Sequence, residues 1–153
     1  MNEVRSKSIF ISGGAGFISS QLISRLIHHN QITVYDNFSR DSLSKSGLIG
    51  HSNLKVIRGD ILDQEHLRVS MEGAEVVIHA AAIAGIDSTV KAPVDTMIVN
   101  MVGTANMLKA AQSLPQKIER FIDFSTSEVF GSKAFKVDES SVTTTGAVGE
   151  ARW

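Results

Sequence analysis

The sequence predicts an α/β fold, a doubly wound parallel sheet with strand order 3-2-1-4-5. Three observations point to it. Short β-branched runs alternate with stretches of helical periodicity, glycines cluster where the first run meets the first helix, and no internal repeat or linker interrupts the series. The chain of 153 residues fits one domain with a sizeable core.

The elements come in order. Residues 8–12, SIFIS, are an apolar run bounded by polar residues and glycines, hence a buried strand. From Phe17 the spacing turns helical through Ile18, Leu22, Ile23, Leu26 and Ile27, and the helix should stop near Asn30 with His28 and His29 at its carbonyl end. ITVYD (32–36) is a β-branched strand, and residues 37–53, rich in Ser, Asn and Gly, read as loop. LKVIRGD (54–60) alternates as a third strand, Asp63 caps a short helix through Met71, and EVVIHAA (75–81) is the fourth strand. The longest helix should run from Pro93 to Gln112, burying Val94, Met97, Ile98, Met101, Val102, Ala105 and Leu108 as one face. RFIDFST (120–126) is a fifth strand, and residues 129–153 have no sustained period and read as loop.

Gly13, Gly14 and Gly16 lie between the first strand and its helix. Glycine there permits a tight turn and lets backbone approach a pyrophosphate, while the helix amino terminus offers unpaired N–H groups and a positive dipole end. Gly13 and Gly16, with Phe17 and Ile18 in the first helical turn, are therefore candidate cofactor contacts. Asp36 ends the second strand, 20 residues after Gly16. A carboxylate there accepts ribose hydroxyls and repels a 2′-phosphate, which reads as NAD over NADP, although Arg40 is nearby.

On these residues the chain resembles the extended short-chain dehydrogenases/reductases, the nucleotide-sugar epimerase and dehydratase family with a Rossmann-type sheet. SGGAGFISS (12–20) is similar to the family's TGGAGFIGS, with Ser19 in place of its third glycine. YDNFS (35–39) resembles its ribose-binding stretch, GDI (59–61) its adenine-side contact, HAAA (79–82) its HxAA segment, and VNMVGT (99–104) its VNxxGT helix. STSEVFG (125–131) resembles the active-site SSxxVYG, with Phe130 replacing Tyr. The resemblance thus implies cofactor contacts from Asn37, Phe38, Ser39, Asp60, Ile61, Ala80, Ala81, Ala82, Asn100 and Ser125. It also implies sugar contacts from Gly85, Ile86 and Ser127.

In such enzymes a Tyr deprotonates a sugar hydroxyl as hydride passes to NAD, a Lys lowers the Tyr pKa, and a Ser or Thr bonds the reacting oxygen. Thr126 occupies the Ser/Thr position. Family 4,6-dehydratases carry Asp-Glu next; here the pair is Ser127-Glu128, which disfavours dehydration and resembles UDP-glucuronate decarboxylases, with Glu128 assisting protonation or positioning the sugar. There oxidation at C4 gives a β-keto acid that loses CO2. A nucleotide-sugar 4-epimerase and a non-catalytic NAD-binding protein of the same fold are the alternatives.

The one Tyr, Tyr35, lies on the second strand beside the ribose site, so it reads as a lining ring. The resemblance places the Tyr-x-x-x-Lys just past Trp153, so the chain is expected to be an amino-terminal portion, truncated after the fifth strand, that binds cofactor poorly and catalyses nothing by itself. The complete protein is expected to be a homodimer acting on a nucleotide sugar, most simply a UDP-sugar. A net charge of −1 with scattered Lys and Arg predicts neither nucleic acid nor an anionic membrane as partner. The absence of Cys fits a cytoplasmic location. His79 reads as a packed strand residue, and His28, His29, His51 and His66 lack metal-ligand spacing, so no metal is expected.

Overall fold

The computed structural model describes residues 4–130, 136–138 and 140–143. Five strands, β1 (Ser8–Ser12), β2 (Gln31–Asp36), β3 (Leu54–Arg58), β4 (Val76–His79) and β5 (Arg120–Asp123), form one sheet in the order β3-β2-β1-β4-β5. Every neighbouring pair is parallel. The predicted order is the observed one.

Parallel strands need crossovers, and the crossovers bury both faces of the sheet. Alternation within β1 shows it directly. Ile9 and Ile11 pack with Ile23 of α1 (Phe17–Leu26) and Ile27 just past its end, whereas Phe10 between them packs with Leu67, Met71, Val77 and Met107 under α2 (Gln64–Ser70) and α5 (Gly103–Ser113). Each such side chain, taken fully out of water, contributes about 1.5–3 kcal/mol.

Polar residues set the helix ends. Helix α1 stops at Leu26, before the predicted Asn30, because Asn30 is buried and donates its Nδ2 to the Leu26 carbonyl at 2.8 Å. Asp63 caps α2 as expected, accepting from the His66 N–H at 3.1 Å.

The helical stretch after β4 corrects the sequence reading. It comprises α3 (Ile86–Lys91), which precedes the predicted start at Pro93, then α4 (Pro93–Met97), a π turn over Ile98–Val102, and α5. The face expected to be buried is the outer one: Val94, Met97, Ile98, Met101, Val102 and Leu108 are all exposed. The face turned inward carries Thr96, Gly103, Asn106, Met107 and Ala110. Close approach explains the choice. A Cβ on Gly103 would collide with the Ile61 side chain, and Asn106 Nδ2 donates to the Ile61 carbonyl at 3.1 Å. The helix seats where it is small and polar, and its larger apolar stripe is left outside. Phe17 and Ile18 are likewise exposed in the first turn of α1, while Ser19 and Ser20 are buried against the sheet.

Among the described residues no helix is long and apolar enough to cross a membrane.

Candidate dinucleotide site

The carbonyl ends of β1, β2 and β4 bound a groove whose geometry is set by backbone. Gly13 turns at φ 70° and donates its N–H to the Tyr35 carbonyl at 3.0 Å. A Cβ there would stand 2.5 Å from the Ala81 nitrogen and 2.6 Å from the Ala80 carbonyl carbon, so only glycine lets the two turns approach. Gly16 then opens α1 with no side-chain cap. The N–H groups of the first turn lack partners within the helix and lie beside this groove.

Asp36 stands at the rim. Its Oδ2 accepts from the Ala15 N–H at 2.9 Å and its Oδ1 from the Phe38 N–H at 2.7 Å. Each oxygen keeps a further lone pair for a hydroxyl donor. Phe38 adopts φ 62°, with the Arg58 guanidinium 5.8 Å from its ring centre, and Asn37 Oδ1 accepts from the Ser39 N–H at 3.0 Å. A hollow of about 110 Å³ unites the predicted residues Gly13, Gly16, Asp36, Asn37, Ser39, Ile61 and Ala80–Ala82. Asp60 serves its own turn, accepting from the Leu62 N–H at 2.9 Å, and its carbonyl accepts from the Tyr35 hydroxyl at 2.9 Å.

A second cavity, about 600 Å³, shares Ala80–Ala82 with the first and extends to Gly85, Asn100, Asp123, Ser125 and Thr126. Ile86 is not among its walls; it opens α3 and is exposed. Thr126 leads into a 3-10 turn at Ser127–Phe130. The side chains of Ser127 and Glu128 lie outside the described residues. Asn100, read as a cofactor contact, lines the cavity and commits both amide atoms to one backbone unit: Oδ1 accepts from the Ile83 N–H at 2.8 Å, and Nδ2 donates to the Ile83 carbonyl at 3.0 Å.

Two buried rings behave differently. Burial, reinforced by Asp63 and Asp60, pushes the Tyr35 hydroxyl up to about 12, far from the range of a base at neutral pH. His79 is buried, with Ser12 Oγ 2.6 Å from Nδ1 and Thr104 Oγ1 3.0 Å from Nε2. Burial lowers its pKa below the ordinary 6.5, against a smaller opposing effect of Asp123. The unfolded chain therefore binds a proton here at higher pH than the folded one. The stability this neutral ring supplies is complete above about pH 6.5 and declines as pH falls further. Chemical denaturation at pH 7.5 and 5.5 should show the loss, and His79→Gln should reduce that pH-dependent component.

Sequence reasoning missed Asn106, the bonds of His79 and the reach of Arg40. Arg40, near Asp36 in the sequence, donates from Nη2 to the Ala84 carbonyl at 2.8 Å. No local signal announces a partner 44 residues away.

The profile of the NAD dependent epimerase/dehydratase family matches residues 9–151. The chain belongs to this family. It is 34% identical over 149 residues to the UDP-N-acetyl-alpha-D-glucosaminuronate decarboxylase of Bacillus cytotoxicus, covering 96% of this chain and 45% of the relative. Among solved structures, a UDP-N-acetylglucosamine 4-epimerase from Methanobrevibacter ruminantium M1, in complex with UDP-N-acetylmuramic acid, superposes with a TM-score of 0.83. It is 27% identical, with 92% of this chain and 45% of that one covered. The UDP-glucose 4-epimerase from Brucella ovis, in complex with NAD, gives a TM-score of 0.77 at 28% identity, covering 91% and 42%. The chain thus spans less than half the length of these relatives. For an epimerase/dehydratase domain the groove fits the dinucleotide that names the family: backbone without Cβ faces its floor, and a carboxylate with spare lone pairs stands at its rim. Among the described residues no group of three or more His, Asp or Glu could hold a metal ion.

Proposed function

We propose that the protein binds NAD in this groove and, in an enzyme with the length of its relatives, decarboxylates a nucleoside-diphosphate-linked uronic acid, most simply a UDP-sugar. The observation that carries the reading is the Thr126-Ser127-Glu128 segment. It begins beside the 600 Å³ cavity that shares the 80–82 wall with the dinucleotide groove. NAD, when bound, supplies a hydride acceptor. Gly13, Gly16 and the first turn of α1 would hold its pyrophosphate, and Asp36 its adenosine ribose. Thr126 would bond the sugar oxygen at the carbon that is oxidised, and Glu128 would place the sugar or return a proton after CO2 leaves. Product analysis on the protein at the length of its relatives tests this: incubation with NAD and UDP-glucuronate should release CO2 and yield a UDP-pentose. Epimerised product without CO2 would favour the 4-epimerase reading, which the likeness to the Methanobrevibacter enzyme supports. Binding of NAD with no turnover of either class would leave a non-catalytic binder.

Thr126→Val should slow turnover by a factor of about 30 to 1,000 and leave NAD affinity nearly unchanged, since a positioned donor acts chiefly in the transition state. An unchanged rate would make Thr126 structural.

The exposed stripe on α4 and α5 supports a homodimer. Val94, Met97, Ile98, Met101 and Leu108 are apolar and exposed along this helical stretch, a surface that a second copy would cover. Sedimentation of the full chain should give a dimer mass, and Met101→Glu a monomer.

A further inference from the structure

At the floor of the site a single line of hydrogen bonds joins β1, β4 and the α4–α5 helical stretch. Ser12 Oγ lies 2.6 Å from His79 Nδ1, and His79 Nε2 lies 3.0 Å from Thr104 Oγ1. Thr104 Oγ1 in turn donates to the Asn100 carbonyl at 2.7 Å, and the Asn100 amide clamps Ile83 at both its N–H and its carbonyl.

Counting protons fixes the direction of this line. Thr104 has one hydroxyl proton, and the Asn100 carbonyl takes it. Thr104 must then accept from His79, which puts the ring proton on Nε2. The neutral ring is left with a bare Nδ1, so Ser12 donates to it. Every group in the line has the partner its protonation demands.

Location separates this line from an ordinary satisfied core histidine. Ser12 directly precedes Gly13, and His79 directly precedes Ala80. Ile83 borders both cavities. The Gly13 turn and the 80–81 backbone touch with no room for a methyl group, so the width of the groove depends on how β1, β4 and the helix are held together.

We propose that His79 and Thr104 are positioning residues that, through Ser12 and Asn100, fix the spacing between the Gly13 turn and residues 80–83 and thereby set affinity for the dinucleotide. The affinity part rests on the reading of the groove as an NAD site.

The test uses the protein at the length of its relatives, its Thr104→Val variant, which removes the hydroxyl at nearly constant shape, and Thr104→Ser, which keeps it. Three quantities are read: the imidazole nitrogen shifts of His79, the exchange rate of the Ile83 amide, and the NAD dissociation constant. In the unmodified protein His79 must be the Nε2–H tautomer; an Nδ1–H tautomer overturns the proposal without any variant. Thr104→Val should perturb the ring signature, speed Ile83 exchange by about tenfold and weaken NAD about tenfold, with Thr104→Ser within about threefold of the parent. A folded Thr104→Val variant with parental Ile83 exchange and NAD affinity overturns it, as does weaker NAD binding with Ile83 and the ring unmoved. If the parent binds no NAD, the cofactor reading fails, while the ring and Ile83 measurements still decide whether the line holds the loop.

Discussion

Replacing Gly13 by alanine should abolish measurable dinucleotide binding, weakening it more than about a hundredfold, and should destabilise the fold by about 2–5 kcal/mol. Two costs add. A residue with a Cβ is strained at φ 70°, and that Cβ would press on the main chain of Ala80 and Ala81, which cannot swing aside as a side chain would. Opening the contact moves β1 from β4 where the groove narrows, so binding should fall further than stability alone explains. Gly47 is the control. It has φ 75° and open space for 4 Å around where a Cβ would stand, so Gly47→Ala should cost only about 1–2 kcal/mol and leave binding intact. Denaturant titration and NAD binding on both variants check the pair. Equal effects at the two positions would remove close approach from the explanation.

Much of this molecule is legible in its sequence because its sheet is covered on both sides. Strands such as IFI and VVI need no alternation to be recognised, and right-handed crossovers leave few orders for five of them. The helices are less legible for a physical reason. The α4–α5 stretch carries two faces able to pack, and periodicity ranks the larger one, Val94 to Leu108, first. The sheet takes the other, because Gly103 and Asn106 permit a closer seat on Ile61, and no residue count reveals that. The π turn at Ile98–Val102 also shifts the register between the two halves.

The site divides in the same manner. Gly13, Asp36 and Ala80–Ala82 can be found from the sequence, since a turn that needs no Cβ and a carboxylate at a strand end are visible in residue type and spacing. Asn100 is legible as a residue that matters, but its two bonds to Ile83, 17 residues away, depend on tertiary packing. His79 reads from the sequence as merely packed, yet its partners come from a strand 67 residues earlier and a helix 25 residues later. Long-range polar pairs leave no local trace.

On the proposed reading, Asp36 is what makes the groove select NAD. Its two oxygens are already aimed by the Ala15 and Phe38 N–H groups, and each has room for one more donor. Hydroxyl bonds to a carboxylate are each worth about 1.5–3 kcal/mol, and a 2′-phosphate would replace one such donor with a repelling charge. Arg40 offers little relief, since its guanidinium is bonded to the Ala84 carbonyl. Titrating the protein at the length of its relatives with NAD and with NADP under the same conditions is the direct measurement. NAD should bind more than about tenfold tighter. Equal affinities, or a preference for NADP, would take Asp36 out of the ribose site and overturn the assignment.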